Sequence, residues 1–343
     1  MLRTGYLKSF LLFLICLLIF QGCSQNRDEL IEFHGNTMGT TYNIKIVVGS
    51  NQTVPENFGE EIDLALKNFN QIMSTYIPDS ELSKINQAPR DGWLTVSSSL
   101  YHLLDMSQQI SKKSDGAFDV TVGPLVNLWG FGPTKRERQV PSEAELAEAR
   151  ARVGYQFIQL SSQRRAVNKS ADVYIDLSAI AKGYGTDVIA GLLKDRGFTN
   201  FMVEIGGELN LQGYNVEDKL WRIGVEKPTL GHEGAVQAIS IYNAGVATSG
   251  DYRNYMEVDG KRFSHTIDPA TGEPISHNLA SVTVVAPTGA EADALATAIN
   301  VMGPEKGMAY AERYNLAIYM IVRNDEGFHS IHSQAFERYL EPK

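Results

Sequence analysis

Both cysteines of the 343-residue chain, Cys16 and Cys23, lie in its N-terminal segment. The rest of the chain therefore has no thiol for a disulfide, a zinc–thiolate site or a cysteine nucleophile. It must fold by burying apolar side chains, and 43% hydrophobic residues are enough for one large domain or two ordinary ones. The net charge of −9 repels phosphate backbones, so we expect no nucleic-acid partner.

An uncharged run over residues 10–20 follows two basic residues at the N-terminus. A bilayer-spanning helix needs about 20 apolar residues, so this shorter run is typical of a signal peptide. Gln21, Gly22 and Cys23 come next, and a small residue before a cysteine indicates a bacterial lipoprotein. We expect cleavage after residues 1–22, a lipid on the Cys23 thiol and a polar tether over residues 23–31. A short buried helix is the alternative, disfavoured by the basic residues before the run.

Apolar periodicity predicts an α+β body of mixed sheets and packed helices. Helices are expected at residues 58–76, 98–111, 142–154, 178–196 and 290–302. Strands are expected at residues 42–48, 173–175, 201–205, 221–225, 238–241, 281–285 and 316–321. Residues 116–133 are rich in glycine, proline and aromatic residues and fit neither period, which favours an irregular loop that faces a ligand.

The helix near the C-terminus carries a candidate metal site. Thr288 and Glu291 form a capping box, which places Asp293 and Thr297 four residues apart on one helical face. A carboxylate and a hydroxyl are oxygen ligands suited to Mg²⁺, with carbonyls, water or phosphate filling the other positions. From the spacing alone, a solvated aspartate and an ordinary helical threonine is the commoner arrangement.

A second candidate site lies where an apolar segment ends at Asp176 and a helix with Lys182 in its first turns begins. Such a corner offers backbone N–H groups to a phosphate and carbonyl oxygens to a metal. We expect Asp176 to cap the helix. An ordinary capped helix without a ligand accounts equally well for these residues.

A third candidate is His265, which precedes a turn through Asp268 and Gly272. In a chain without a cysteine nucleophile, a histidine at a turn is a candidate general base. A histidine that only stabilises the turn is the alternative.

Taken together and in order, seven motifs resemble the ApbE family, the FAD:protein FMN transferases. They are TMGTTY at 37–42, GAFDVTVGPLVNLWGFG at 116–132, DLSAIAKGY at 176–184, GGE at 206–208, TSG at 248–250 with YRNY at 252–255, HTIDP at 265–269, and the Asp293/Thr297 helix. The resemblance covers nearly the whole chain after the tether. It implies an ApbE-like α+β fold in one large compact body over residues 32–340.

The resemblance also implies an activity: Mg²⁺-dependent transfer of FMN from FAD to a threonine hydroxyl of an acceptor protein, with release of AMP. Two alternatives stay open. One is an FAD pyrophosphatase that gives FMN and AMP with water as the acceptor, and the other is a non-catalytic FAD-binding lipoprotein.

Site residues follow from the same resemblance. Flavin contacts are implied at Met38, Tyr76, Ala117, Phe118, Asp119, Asp176, Lys182 and Ile267. Metal ligands are implied at the backbone carbonyl of Ala179 and the side chains of Asp293 and Thr297, and His265 is implied as the base. Met38, Tyr76 and Phe118 are bulky enough to stack on a flavin or adenine ring.

The implied partners are acceptor subunits of membrane respiratory complexes of the sodium-pumping NADH:quinone or electron-bifurcating type. The implied location is the periplasmic side of the cell inner membrane, through the lipid on Cys23.

Overall fold

The structure, a computed structural model, describes residues 28–132, 139–226, 235–250, 255–258 and 261–341. The predicted signal peptide and Cys23 lie outside these described residues. Within them, no helix combines the length and apolar character needed to cross a bilayer.

The strands of the described residues are, in chain order, β1 Glu29–Thr37, β2 Thr40–Val48, β3 Leu94–Thr95, β4 Ile158–Ser161, β5 Ala166–Lys169, β6 Phe201–Ile205, β7 Glu208–Gln212, β8 Trp221–Glu226, β9 Ala235–Ile241, β10 Ala244–Gly250, β11 Tyr255–Val258, β12 Lys261–Ser264, β13 Leu279–Ala286, β14 Ala317–Asn324 and β15 Gly327–His332. Eight of them form the main antiparallel sheet, in the order β1-β2-β6-β7-β10-β13-β14-β15. The others form a three-stranded sheet, β3-β5-β4, and two hairpins, β8-β9 and β11-β12.

The helices of the same part of the chain are α1 Phe58–Met73, α2 Glu81–Gln87, α3 Ser98–Lys113, α4 Gly123–Leu128, α5 Glu143–Arg150, α6 Ala181–Asp195 and α7 Gly289–Arg313. Short 3-10 helices lie at Tyr155–Phe157 and Gln334–Tyr339. The combination confirms the predicted α+β class.

Both faces of the main sheet are covered. On one face, Val284 of β13 joins Leu295 of α7 in the largest core cluster. On the other face, Val285 clusters with Trp221 of β8 and Phe336 of the second 3-10 helix. Every residue of β13 is buried, because the strand lies between these two layers.

Two tight turns lie at the same end of the main sheet. Met38 and Gly39 connect β1 to β2, and Gly206 and Gly207 connect β6 to β7. Because Tyr42 of β2 pairs with the last residue of β6, the two turns are neighbours. Met38 and Gly39 both have positive φ, 50° and 74°, as a two-residue turn matching the strand twist requires.

Helices α6 and α7 approach closely through glycines. A Cβ on Gly183 would lie 2.1 Å from the carbonyl oxygen of Gly289, and a Cβ on Gly289 would lie 2.3 Å from Thr186 Oγ1. Both distances are shorter than any real contact, so only glycine fits at either position. This close approach brings the first turn of α6 against the first two turns of α7.

Two local predictions in the N-terminal half differ from the structure. Strand β1 begins at Glu29, so residues 29–31, expected in the tether, belong to the sheet. Acidic residues in β1 weaken its alternating apolar pattern, and charged residues are common in edge strands. Helix α4 lies within residues 116–133, where we expected no regular element, and Pro124 stands in its first turn.

Residues 173–175 form no strand and pair with none of the described strands. Instead, the Asn86 side chain accepts from the Ile175 N–H and donates to the Ile175 carbonyl, each at 2.8 Å. A side chain thus replaces the neighbouring strand that the prediction required. Similarly, α7 continues beyond the predicted end at residue 302: Gly303 leaves helical geometry at φ 77°, and a further helical segment begins at Pro304.

Candidate active site

A cavity of about 460 Å³ opens at the end of the sheet that holds the two turns. It lies among α6, α7, the 116–132 segment and the segment after β12. Its lining includes all but one of the site residues expected from the sequence, namely Tyr76, Ala117, Phe118, Asp119, Asp176, Ala179, Lys182, His265, Ile267, Asp293 and Thr297. Segments far apart in sequence therefore converge on one space.

Met38 lines a neighbouring cleft of about 810 Å³ instead. The cavity and the cleft share Tyr76, Ser178 and Lys182. Met38 therefore lies next to the cavity but does not line it. Its side chain rests over Gly185 of α6, where a Cβ would come within 2.6 Å of Met38 Cε. The strained backbone of the β1-β2 turn thus fixes a flexible apolar side chain at the shared boundary.

Asp293 is buried and touches the start of α6. Its Oδ2 accepts a hydrogen bond from the Gly183 N–H at 3.0 Å. That N–H belongs to the first turn of α6, whose exposed donors favour a negative charge. Thr297 lies one turn further along α7, and Ala179 lies just before α6, so the three expected metal ligands line one wall.

Asp187 holds the start of α7 in place. Its two carboxylate oxygens accept from the N–H groups of Gly289 and Ala290, at 2.7 and 2.9 Å, and Oδ1 also accepts from Asn210. Asp187, a residue of α6, therefore caps the N-terminus of α7. Burial raises the pKa of Asp187, against the lowering effect of these hydrogen bonds.

Lys182 reaches across the turn between β6 and β7 to Glu208. The ammonium donates to Glu208 Oε1 at 2.5 Å. The aliphatic part of Lys182 passes over Gly206, where a Cβ would lie 3.4 Å from Lys182 Cδ. Burial lowers the pKa of Lys182, but the carboxylates of Asp293 and Glu208 outweigh burial and the pKa is raised.

Glu208 is the most strongly perturbed carboxylate of the cavity. Its side chain is 6% exposed, and among the described residues its Oε2 has no hydrogen-bond partner. Burial and then the Asp293 carboxylate raise its pKa from 4.5 to about 7, against the opposing effect of Lys182. A buried carboxylate oxygen without a donor is costly, so this oxygen is expected to accept a hydrogen bond when a ligand is bound.

The donor set of this wall fits a magnesium ion. Two carboxylates, Asp293 and Glu208, face one ammonium, which leaves an excess negative charge. Asp293, Thr297 and the Ala179 carbonyl offer oxygen atoms, the ligands that Mg²⁺ prefers alongside several waters. No group of three or more His, Cys, Asp or Glu side chains suited to a metal occurs in the described ranges, so hydroxyl, carbonyl and water oxygens would complete the shell.

Asp119 serves the local fold. Its Oδ1 accepts from both the N–H and the hydroxyl of Thr121, at 2.8 and 2.7 Å, and its Oδ2 accepts from the Tyr155 N–H at 2.8 Å. Burial raises the pKa of Asp119. The carboxylate thus ties the 116–132 segment to the residues before β4 and shapes the cavity wall.

The three residues expected to stack on a ring differ in exposure. Tyr76 is 70% exposed, because α1 ends at Met73 and does not extend to residue 76 as predicted. Its ring stands at the shared mouth of the two cavities. Phe118 is 1% exposed and packs in the main core, so its ring offers no stacking face.

Asp176 does not cap α6. Its Oδ1 accepts from the N–H and the hydroxyl of Ser178, and α6 begins later, at Ala181. The Asp176 side chain therefore closes a turn that leads the chain past Ala179 into the helix. This turn presents Ser178, Ala179 and Lys182 to the cavity in succession.

His265 is half-buried beside Phe131, with ring centroids 6.4 Å apart. The turn after it is held from two sides. Trp129 Nε1 donates to the Gly272 carbonyl at 2.9 Å, and Asn300 of α7 donates to Thr266 Oγ1 at 3.2 Å. The histidine is thus fixed relative to the helix that carries Asp293.

Sequence reasoning assigned no role to Glu208, Asp187 or Trp129. Glu208 follows a Gly-Gly turn, and a carboxylate directly after such a turn was the available signal. The roles of Asp187 and Trp129 depend on which elements pack together, which neither residue's neighbourhood in the sequence reveals. A separate cavity of about 510 Å³ between α4 and α5 contains none of the expected site residues.

The fold and the site together define an α+β protein whose cavity, lined by carboxylates and a lysine, suits a phosphate ligand with a divalent cation. The sequence model of the ApbE family matches residues 38–320. The chain belongs to the ApbE family, as the motifs predicted.

Curated and solved relatives agree with this assignment. The chain is 46% identical to the "FAD:protein FMN transferase" of Haemophilus influenzae over 325 residues, which cover 93% of this chain and 94% of the relative. It superposes on "Flavin Transferase ApbE from Vibrio cholerae" with a TM-score of 0.85 at 42% identity, covering 91% of this chain and 100% of that one. The apo form of Pseudomonas stutzeri flavinyl transferase ApbE also gives a TM-score of 0.85, at 38% identity over 93% of this chain and 99% of that one.

Proposed function

We propose that this chain transfers FMN from FAD to a threonine hydroxyl of an acceptor protein and releases AMP. One observation carries the proposal: Asp293, Thr297 and Ala179 share a single cavity with Lys182 and His265. The relatives named as FAD:protein FMN transferases match this chain over nearly their full length, which supports the same reaction.

FAD would occupy the cavity and the neighbouring cleft together. The exposed ring of Tyr76 lies at their boundary and offers a stacking face to the flavin or the adenine. Met38 provides an adaptable apolar contact on the cleft side. The Lys182 ammonium at the same boundary attracts the pyrophosphate between the two rings.

The reaction is a displacement at the phosphorus of the FMN half. The threonine oxygen bonds to this phosphorus, the bridging P–O bond breaks, and AMP leaves with the electron pair. His265 takes the proton of the attacking hydroxyl, while Lys182 offsets the negative charge on the phosphates. A bound Mg²⁺ supplies charge neutralisation and alignment of the pyrophosphate.

The products distinguish this reaction from its alternatives. The full chain is incubated with FAD, Mg²⁺ and an acceptor domain, and AMP, free FMN and protein-bound FMN are measured by chromatography. AMP in equal amount to protein-bound FMN supports the transferase. AMP with free FMN only would establish the pyrophosphatase, and unchanged FAD bound to the protein would establish a storage role.

We also propose where the protein works and on what. A lipid on Cys23 would anchor it to the periplasmic side of the inner membrane, and its acceptors would be subunits of sodium-pumping NADH:quinone or electron-bifurcating respiratory complexes. Cys23→Ala should shift the protein from the membrane fraction to the soluble periplasmic fraction. A variant that stays in the membrane fraction would contradict the anchor.

A further inference from the structure

Glu208 lies at the base of the cavity with one oxygen occupied and the other available. Oε1 accepts from the Lys182 ammonium at 2.5 Å, whereas Oε2 is buried and has no partner within the described part of the chain. The residue follows the Gly206-Gly207 turn at the start of β7, so its backbone is held by the main sheet. A rigid, desolvated acceptor oxygen at a ligand cavity is expected to meet a donor when the ligand is bound.

The charges around Glu208 indicate what kind of donor its Oε2 atom meets. The carboxylates of Glu208 and Asp293 repel each other, and within the described residues Lys182 is the one cation that acts on Glu208. Two like charges in a desolvated site favour a cation between or beside them. A divalent cation at Asp293 brings its bound waters, whose O–H groups are polarised donors.

We propose that Glu208 is a positioning residue that holds Lys182 with one oxygen and accepts a hydrogen bond from a cation-bound water with the other. This inference rests on the metal site of the proposed function. Glu208 touches neither the reacting atoms nor, in this role, the cation itself. When a residue that hydrogen-bonds to a ligand of the metal is removed, the metal affinity commonly falls by about 10- to 100-fold.

The test measures cation binding without FAD, so that activity plays no part. Mn²⁺ serves as the probe, and its free concentration is read by electron paramagnetic resonance in titrations of the full chain. Glu208→Gln keeps the shape of the side chain and an oxygen for Lys182 but removes the charge. We expect Mn²⁺ to bind this variant about 10- to 100-fold more weakly than the wild type.

Glu204→Gln is the matched control. Glu204 lies on β6 at the same end of the sheet, but its Oε1 accepts from the Gly207 N–H at 2.7 Å and it does not line the cavity. We expect its Mn²⁺ affinity to stay within about twofold of the wild type. Lys182→Gln should weaken FAD binding without weakening Mn²⁺ binding, since it removes a positive charge near the cation.

Three outcomes would overturn the inference. Wild-type Mn²⁺ affinity in Glu208→Gln would show that the oxygen does not act on the cation. An equal loss in Glu208→Gln and Lys182→Gln would show general damage to the cavity. A wild-type chain that does not bind Mn²⁺ at all would overturn the metal site of the proposed function, and this inference with it, whereas the first two results leave that site intact.

Discussion

The Asp293 carboxylate accepts a hydrogen bond from the backbone N–H of Gly183 at 3.0 Å, which joins α7 to the first turn of α6. The contact is possible because Gly183 has no side chain. A Cβ there would lie 2.7 Å from Asp293 Cβ and 2.1 Å from the Gly289 carbonyl oxygen. The position of the cavity wall that carries the proposed metal ligands thus depends on Gly183, packed against Gly289.

Gly183→Ala should therefore separate the two helices. We expect a loss of about 1–3 kcal/mol in the free energy of unfolding, measured with urea, together with weaker Mg²⁺ binding. Gly191→Ala is the control, because Gly191 lies on the same helix with nothing within 4 Å of its Cβ position. That change should stabilise the protein by up to about 1 kcal/mol. Equal behaviour of the two variants would contradict the close-approach account.

Asp187→Ala should destabilise the protein through α7. The substitution removes the acceptor for the Gly289 and Ala290 N–H groups, and the loss of a helix cap costs about 0.5–2 kcal/mol. We expect a lower thermal midpoint and a lower transfer rate, because α7 carries Asp293 and Thr297. An unchanged thermal midpoint would show that these hydrogen bonds do not stabilise the helix.

Trp129→Phe should affect the turn after His265. The indole N–H donates to the Gly272 carbonyl, and leaving a buried acceptor without a donor costs about 1–3 kcal/mol. We expect a lower transfer rate, since the turn follows His265, the proposed base, and also carries Ile267, an expected flavin contact. Trp93→Phe is the control, because Trp93 lies at the surface with 42% of its area exposed, and it should behave as the wild type.

The metal-free protein should lose stability as the pH rises from about 4.5 to about 7. Glu208 faces Lys182 of α6 and Asp293 of α7, and its pKa is raised from 4.5 to about 7 by burial and by Asp293. The folded state therefore holds a proton that the unfolded state has released, so unfolding becomes easier across this range. Urea unfolding at a series of pH values in EDTA should show this slope. The slope should be smaller in Glu208→Gln, and an unchanged slope would assign it to another group.

The sequence predicted which residues line the site better than it predicted the contacts that position them. Asp293, Thr297, Lys182 and His265 each lie in a motif with a chemical rationale, their roles are implied by the resemblance to the ApbE family, and the structure brings them into one cavity. Asp176 was expected to cap a helix and instead closes a turn with Ser178, since both local arrangements use the same residues.

Long-range contacts explain the rest. Strand β1 carries two acidic residues, Glu29 and Glu32, and its place at the sheet edge depends on pairing with β2. Residues 173–175 have a strand composition, but their hydrogen bonds go to Asn86, which is distant in sequence. Tyr76 continues the apolar period of α1, yet the helix ends at Met73 and leaves the ring exposed. For β1 and for residues 173–175, a tertiary partner decides between two local conformations.

Covalent flavin on the acceptor protein tests the central claim most directly. The full chain, FAD, Mg²⁺ and an acceptor domain are incubated, and the acceptor is separated on a denaturing gel and read for flavin fluorescence. Asp293→Ala is compared with Asp195→Ala, which changes an exposed aspartate at the end of α6. We predict a fluorescent acceptor band with the wild type and Asp195→Ala, and none with Asp293→Ala or with EDTA. A band of undiminished intensity with Asp293→Ala, or no band with the wild type, would contradict the account.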